Sequence, residues 1–299
     1  MKYLISKTLR NTISNFKNKL LGKTAPTHNN EYFNKYFLLQ RDNKNWKGLP
    51  TRDDFNWSLY NIMYRGEKEM SLKEVTLDLN KGDYSFVNGK FMQVNKKILP
   101  IHPNGQLMIE TILQLDPKSV FELGCGNGIG LNNLKVVSPE IELSGIDRAE
   151  EQIKYLYECY PNLDADIRVF DATVPFDSSF QKVDLAFSSA VIMHIKTGNS
   201  HLIALANLFN IAKKHVILLE HWHSHNFMKD INNLFRKKII SWDKLYMYYR
   251  VSEENPLARI MIYSRYPLNY PILTDYKQLK SFEKKVTFLF RLKNWLKSY

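Results

Sequence analysis

Residues 120–130, VFELGCGNGIG, decide how this chain is read. A short apolar run ends at Leu123, and glycines then alternate at Gly124, Gly126, Gly128 and Gly130. Glycine lets a backbone turn sharply and lets a ligand approach it closely, so a strand followed by such a loop and a helix forms the binding corner of a parallel α/β sheet. The spacing separates ligand classes. A dinucleotide fingerprint, G-x-G-x-x-G, needs glycine at 129, where Ile129 stands. A pyrophosphate also prefers a helix N-terminus without an acid beside it, whereas Glu122 sits just ahead of the first glycine. A ligand with positive charge tolerates that acid. A glycine-rich turn with no ligand is the plain alternative.

Outward from this corner, strands and helices alternate from residue 101 to residue 270, the mark of a parallel α/β sheet. The pattern predicts helices over 105–115, 129–137, 149–160 and 201–212. It predicts strands over 119–123, 141–146, 167–170, 183–187 and 215–219, with further strand-like runs at 244–250 and 259–264. Residues 26–100 read as an N-terminal extension, aromatic and polar, with short strand-like runs at 84–87 and 90–94. Residues 1–25 place Leu4, Leu9, Ile13, Phe16 and Leu20 at helical spacing among basic residues; residues 271–299 do the same with Phe282, Val286, Leu289, Leu292 and Leu296.

The motif Glu122-x-Gly124-x-Gly126-x-Gly128 resembles motif I of class I S-adenosylmethionine-dependent methyltransferases, and the resemblance extends over residues 100–270. It implies a Rossmann-like, seven-stranded, mostly parallel sheet whose last strand runs antiparallel, with S-adenosylmethionine as cofactor. Glu122, Gly124, Gly126 and Gly128 would surround the methionine end. Asp147, in SGID, matches the acid that takes the two ribose hydroxyls, although with Glu150 it also reads as a helix capping box. Asp171, in VFDAT, matches the acid that receives the adenine amino group, with Ala172 giving backbone contacts; a plain turn aspartate is the other reading. Ser188, directly after the predicted strand 183–187, is a further candidate for binding the cofactor. The run Val183 to Ile195 resembles enzymes acting on small molecules and sugars, and residues 218–227 with 258–271 resemble methyltransferases of bacterial surface-polysaccharide clusters.

Methyl transfer from a sulfonium is an in-line displacement in which positioning supplies most of the rate, and a hydroxyl acceptor gains further from a general base. The acceptor belongs at the carboxyl ends of the fourth and fifth strands. His194 leaves the fourth and is the first candidate for base, with packing against the cofactor or a helix cap as its alternative. His221, His223 and His225 alternate after the fifth strand, beside Glu220. Extended, they would share one side and could line a substrate pocket, the favoured reading, or grip a metal. Arg65 and His102 are weaker candidates for closing the site. Ser188-Ser189-Ala190-Val191 replaces the Asp/Asn-Pro-Pro-Tyr/Phe run of enzymes that methylate exocyclic base amines, which favours an oxygen acceptor. Methylation of a protein or RNA, or cofactor binding without catalysis, are the rival functions.

Composition limits the partners. The 299 residues carry a net charge of +12, of which residues 1–25 supply +6 and residues 279–299 supply +5. A nucleic-acid-binding domain more often spreads its basic patch over the folded core, so nucleic acid is disfavoured as partner. Two basic amphipathic ends fit peripheral contact with an anionic membrane surface, or simply helices packed on the domain with charged outer faces. Two cysteines are too few for a disulfide framework and fit a reducing cytoplasm. No run of 18 apolar residues and no secretory leader is visible.

Overall fold

The structure is a computed structural model that describes residues 79–94, 101–195, 199–221, 224–252, 258–275 and 279. The expected helix at 1–25, most of the extension with Arg65, His223, and nearly all of the 271–299 helix lie outside these residues.

A hairpin, β1 (Tyr84–Val87) and β2 (Lys90–Gln93), precedes helix α1 (Pro103–Gln114). There follow β3 (Ser119–Leu123), α2 (Ile129–Val137), β4 (Glu142–Asp147), α3 (Glu150–Cys159), β5 (Asp166–Val169) and β6 (Val183–Ser189). A single 3₁₀ turn (Ile192–His194) leads to α4 (Ser200–Ile211), β7 (Ala212–Leu219), α5 (Phe227–Arg236), β8 (Tyr246–Val251) and β9 (Arg259–Ser264). Seven strands form one sheet in the order β5-β4-β3-β6-β7-β9-β8. All run parallel except β9, which is antiparallel to both of its neighbours. This is the expected Rossmann-like architecture. The strand order reverses between β3 and β6, and the crevice beyond their carboxyl ends is where such sheets take ligands.

Burial on both faces explains why these strands read as apolar runs rather than as alternations. In β3, Phe121 and Leu123 face the side covered by α4 and α5, while Val120 faces the side covered by α1 and α2. Glu122 shares the Val120 face and pairs across to Gly145 and Phe187, so it carries a carboxylate into the sheet's centre beside the glycine loop. Each fully buried side chain of these layers contributes roughly 1.5–3 kcal/mol.

Three local features depart from expectation. Helix α5 was not foreseen: Asn226 caps it by accepting from Lys229 N at 3.2 Å, and Phe227, Ile231 and Leu234 bury one stripe among asparagines and lysines. Helix α4 passes directly into β7 at Ala212, whereas the sequence pattern starts the strand at 215. His102 caps α1, its Nδ1 accepting from Asn104 N at 3.2 Å with Pro103 next in the chain, so the side chain proposed for closing the site is used in starting a helix. The hairpin is fastened to the domain through Glu110. One oxygen of that carboxylate accepts from Phe91 N at 2.8 Å, and the other pairs with Arg250 of β8 at 2.9 Å. Beyond β9, Tyr249 N donates to Pro271 O and Leu273 N to Met247 O, so the chain at 271–273 still runs along β8.

Candidate cofactor and acceptor site

The glycine loop leaves β3 and is held to β4 from both ends. Gly124 N and Cys125 N donate to Ile146 O at 2.8 and 2.9 Å, and Gly126 N donates to Asp147 Oδ2 at 3.0 Å. Gly124 and Gly128 have φ of +76° and +77°, a region open mainly to glycine. Space adds a second reason at each. A Cβ at Gly124 would overlap the Val191 side chain, and one at Gly128 would come within 2.5 Å of Leu156 Cγ. A Cβ on Gly130 would meet the Glu122 carboxylate at 2.9 Å. A Cβ on Gly126 would meet nothing within 4 Å, because this side of the loop faces a cavity.

That cavity, about 270 Å³, runs along the carboxyl ends of β3, β4 and β6. Three acids mark its length. Glu122, 6% exposed, is innermost; its Oε2 is buried with no hydrogen-bond partner. Burial, and then the negative Asp147 nearby, push the Glu122 carboxyl well above the ordinary carboxylate range. Asp147 ends β4, accepts from Gly126 N with Oδ2 and from Ala149 N at 2.8 Å with Oδ1, and is itself raised by burial. The capping box with Glu150 does not form: Ala149 is the N-cap of α3, with no side-chain cap. Asp171 stands at the far end, where its Oδ1 accepts from Thr173 N and Oγ1 at 2.8 and 2.7 Å. Ala172 lines the cavity beside it. Residues not foreseen also line it: Arg148 and Phe170, next in sequence to the two aspartates, Gln152 one turn into α3, and Asn127 within the loop.

Acceptors at three stations suit a ligand that presents donors and positive charge along its length, and they repel a phosphate. S-adenosylmethionine has that profile: an ammonium and a sulfonium at one end, a ribose diol in the middle, an adenine amino group at the other. The residues present fit it. Glu122 Oε2, a buried acceptor without a partner, is the atom an ammonium would satisfy; Asp147 keeps lone pairs for a diol.

The exits of β6 and β7, where an acceptor was expected, are joined by hydrogen bonds. Glu220, fully buried, accepts from Ser188 Oγ at 2.6 Å and from the backbone N–H groups of Val191, Ile192 and Met193 at 3.0–3.2 Å. Ala190 N donates to Leu219 O at 2.9 Å, and Ala190 has φ +56°, strained for a residue with a side chain. Two expectations are corrected here. Ser188 is buried with its hydroxyl committed to Glu220, and Ser189, Ala190 and Val191 line the cavity instead. Glu220 holds the loop together rather than facing a substrate or metal.

The histidines are dispersed. His194 is half-buried in the 3₁₀ turn, between Val191 and Ile195, which line the cavity. His221 is exposed at the exit of β7. His225 packs on His201, ring centroids 4.0 Å apart, and His201 Nε2 lies 3.5 Å from Asp230, so His225 is turned into this packing while His221 is exposed. Among the described residues, no group of three or more His, Cys, Asp or Glu is arranged to hold a metal.

Fold and cavity together define a Rossmann-like domain with a site for a nucleoside-bearing cation. Residues 121–219 match the family model of a methyltransferase domain. Protein 235L of Invertebrate iridescent virus 6, provisionally named a methyltransferase, is 29% identical over 120 residues. The match covers 40% of this chain and 43% of that protein, so the chain spans less than half the length of the curated relative it matches. Among solved structures, the methyltransferase domain of a bacterial CtHen1 is 14% identical with a TM-score of 0.44, covering 54% of this chain and 97% of that one. The plantazolicin methyltransferase BpumL, solved with S-adenosylhomocysteine (SAH), is 11% identical with a TM-score of 0.44, covering 78% and 97%. The N-methyltransferase NodS of Bradyrhizobium japonicum WM9, also solved with SAH, is 13% identical with a TM-score of 0.41, covering 54% and 86%. Likeness at this level says nothing of what this chain acts on.

Proposed function

We propose that this protein is an S-adenosylmethionine-dependent methyltransferase whose acceptor is an oxygen of a sugar or other small molecule in surface-glycan assembly. The observation that carries the methyltransferase reading is the row of acids Glu122, Asp147 and Asp171 along one cavity, with an unpartnered Glu122 oxygen at its inner end. The match of residues 121–219 to a methyltransferase domain agrees with it. Bound there, the cofactor supplies an electrophilic methyl group on sulfur. The chain's own part is to hold the methionine end against Glu122, to keep Val191 pressed on Gly124, and to wall the acceptor's approach with the 190–195 loop that Glu220 fastens. His194 stands first as the group that takes the acceptor's proton, with His221, at the exit of β7, and His223, outside the described residues, as the further candidates.

The oxygen acceptor is favoured by Ser188 to Val191, which lack the Asp/Asn-Pro-Pro-Tyr/Phe run of enzymes that methylate exocyclic amines of DNA bases. The surface-glycan setting follows from the resemblance of 218–227 and 258–271 and from the basic ends, which suit a cytoplasmic protein docking on an inner membrane face to reach a lipid-linked glycan. No helix among the described residues is long and apolar enough to cross a membrane.

Calorimetric titration with S-adenosylmethionine and SAH tests the shared premise; absence of binding to both removes the reading. Turnover of labelled methyl groups on nucleotide sugars, polysaccharide fragments, protein and RNA then separates acceptor classes. With an active acceptor, His194→Ala lowers kcat by about 10²–10⁴-fold and leaves SAH affinity unchanged. Unchanged kcat in the His194→Ala, His223→Ala double variant removes the base assignment alone.

A further inference from the structure

We propose that Asn207 is a positioning residue that gives the cofactor cavity its preference for a 6-aminopurine, an inference resting on the reading that this cavity takes S-adenosylmethionine. Asn207 lies on α4, where the other buried residues are mostly apolar: Ala204, Leu205, Leu208, Phe209 and Ile211. An amide only 5% exposed in such company is costly unless every polar atom is paired. Here it is. Nδ2 donates to Ala172 O at 2.9 Å and to Val174 O at 2.8 Å, and Oδ1 accepts from Phe176 N at 3.0 Å. Two carbonyls and one N–H fix which way the amide points.

All three bonds go to one loop, 31 to 35 residues back in the chain, which carries Asp171, Ala172 and Thr173 on its cavity side. Asn207 draws the Ala172 and Val174 carbonyls toward α4. Phe176 anchors the loop's far end by stacking on Phe180, centroids 4.1 Å apart, with its edge toward Phe121 and Phe170. On the cavity side both Thr173 bonds fall on Asp171 Oδ1. Oδ2 accepts no hydrogen bond among the described residues, which leaves it for the ligand. An exocyclic amino group satisfies that oxygen. The exocyclic carbonyl of a 6-oxopurine meets it acceptor to acceptor and is repelled. A loop released from α4 can turn another polar group inward, so the preference depends on Asn207 although Asn207 does not line the ligand's path.

The experiment compares affinities for SAH and for S-inosylhomocysteine, its 6-oxo analogue, by titration calorimetry of the full chain. The wild type prefers SAH by about 10–100-fold, the range set by one hydrogen bond to a charged acceptor. Asn207→Asp keeps the size but loses both donors; Asn207→Leu keeps the packing on α4. Either lowers the preference to about threefold or less, and if one of them does not fold the other decides. Asn210→Ala is the control on the same helix. Asn210 fastens Ile239 and Ser241, away from the loop, so this variant lowers Tm and leaves the preference intact. A wild-type preference that persists in the Asn207 variants, or that is absent from the wild type while SAH binds, overturns the assignment alone. No binding of either compound to the wild type overturns the methyltransferase reading and this inference with it.

Discussion

A carboxylate with one oxygen buried and unpartnered, like Glu122, is unstable as an anion until something positive reaches it. Because burial raises the pKa of Glu122 and Asp147, the free folded protein holds protons that the unfolded chain releases. These groups therefore contribute stability below the ordinary carboxylate pKa, and that contribution is lost as pH rises through their raised folded values. A bound ammonium reverses the preference by favouring the anion. The expected result is that the Tm increase given by saturating SAH is larger at pH 8 than at pH 5, read from melts with and without ligand. Glu122→Gln removes the pH dependence due to that residue and weakens SAH binding by about 10–100-fold in calorimetry. At this scale the sequence is most informative. The glycines and the three acids sit within a few residues of a strand end, so spacing alone locates them. Asn207 and Glu220 are different: each bonds to a segment about 30 residues away, brought close only by a parallel crossover, and no local pattern marks them.

Between elements, the exits of β6 and β7 are stitched by Glu220, and the stitch has a measurable worth. Glu220→Gln keeps the side chain's size but places an amide NH₂ against backbone N–H donors. A loss of about 2–4 kcal/mol is expected in urea denaturation, since more than one buried donor loses its partner. SAH affinity falls as well, because Val191 no longer bears firmly on Gly124. A second expectation concerns β7 and β9. Ser264 Oγ accepts from Tyr266 N at 2.9 Å and lies 3.1 Å from His215 Nδ1. Burial, with Lys214 adding to it, lowers the His215 pKa to about 4. A base whose folded pKa is depressed destabilises the fold as pH drops from about 6.5, its ordinary value, toward 4. His215→Gln flattens that part of the stability profile in urea midpoints measured across the range. The element pattern explains what was legible here. Long apolar runs such as β6 and β9 announce themselves, and α5, with Phe227, Met228, Ile231, Leu234 and Phe235 on one face, was equally legible in its helical spacing although it was not foreseen.

For the whole molecule, charge is divided between ends and body. The two ends supply 11 of the 12 net positive charges, and each basic residue near an anionic leaflet contributes about 1 kcal/mol. The full chain is expected to co-sediment with phosphatidylserine-containing vesicles but not with phosphatidylcholine alone, and to be released as salt shortens the screening length. Deleting residues 1–25 and 280–299 abolishes the sedimentation. Equal binding with and without those residues ends the membrane proposal and leaves the methyltransferase reading untouched. Sheet topology has a further consequence for how the molecule is made. The strand synthesised last, β9, occupies the seat between β7 and β8, so β8 leaves the ribosome with no neighbour to pair with. A nascent chain halted between Val251 and Arg259 carries an open flank along β7 and a stray ribbon, β8, beyond it, both apt to capture other chains. Assembly of that flank must wait for translation to pass Ser264, which makes the stretch from β7 to β9 the one where a stalled ribosome or a premature stop is most apt to yield aggregate.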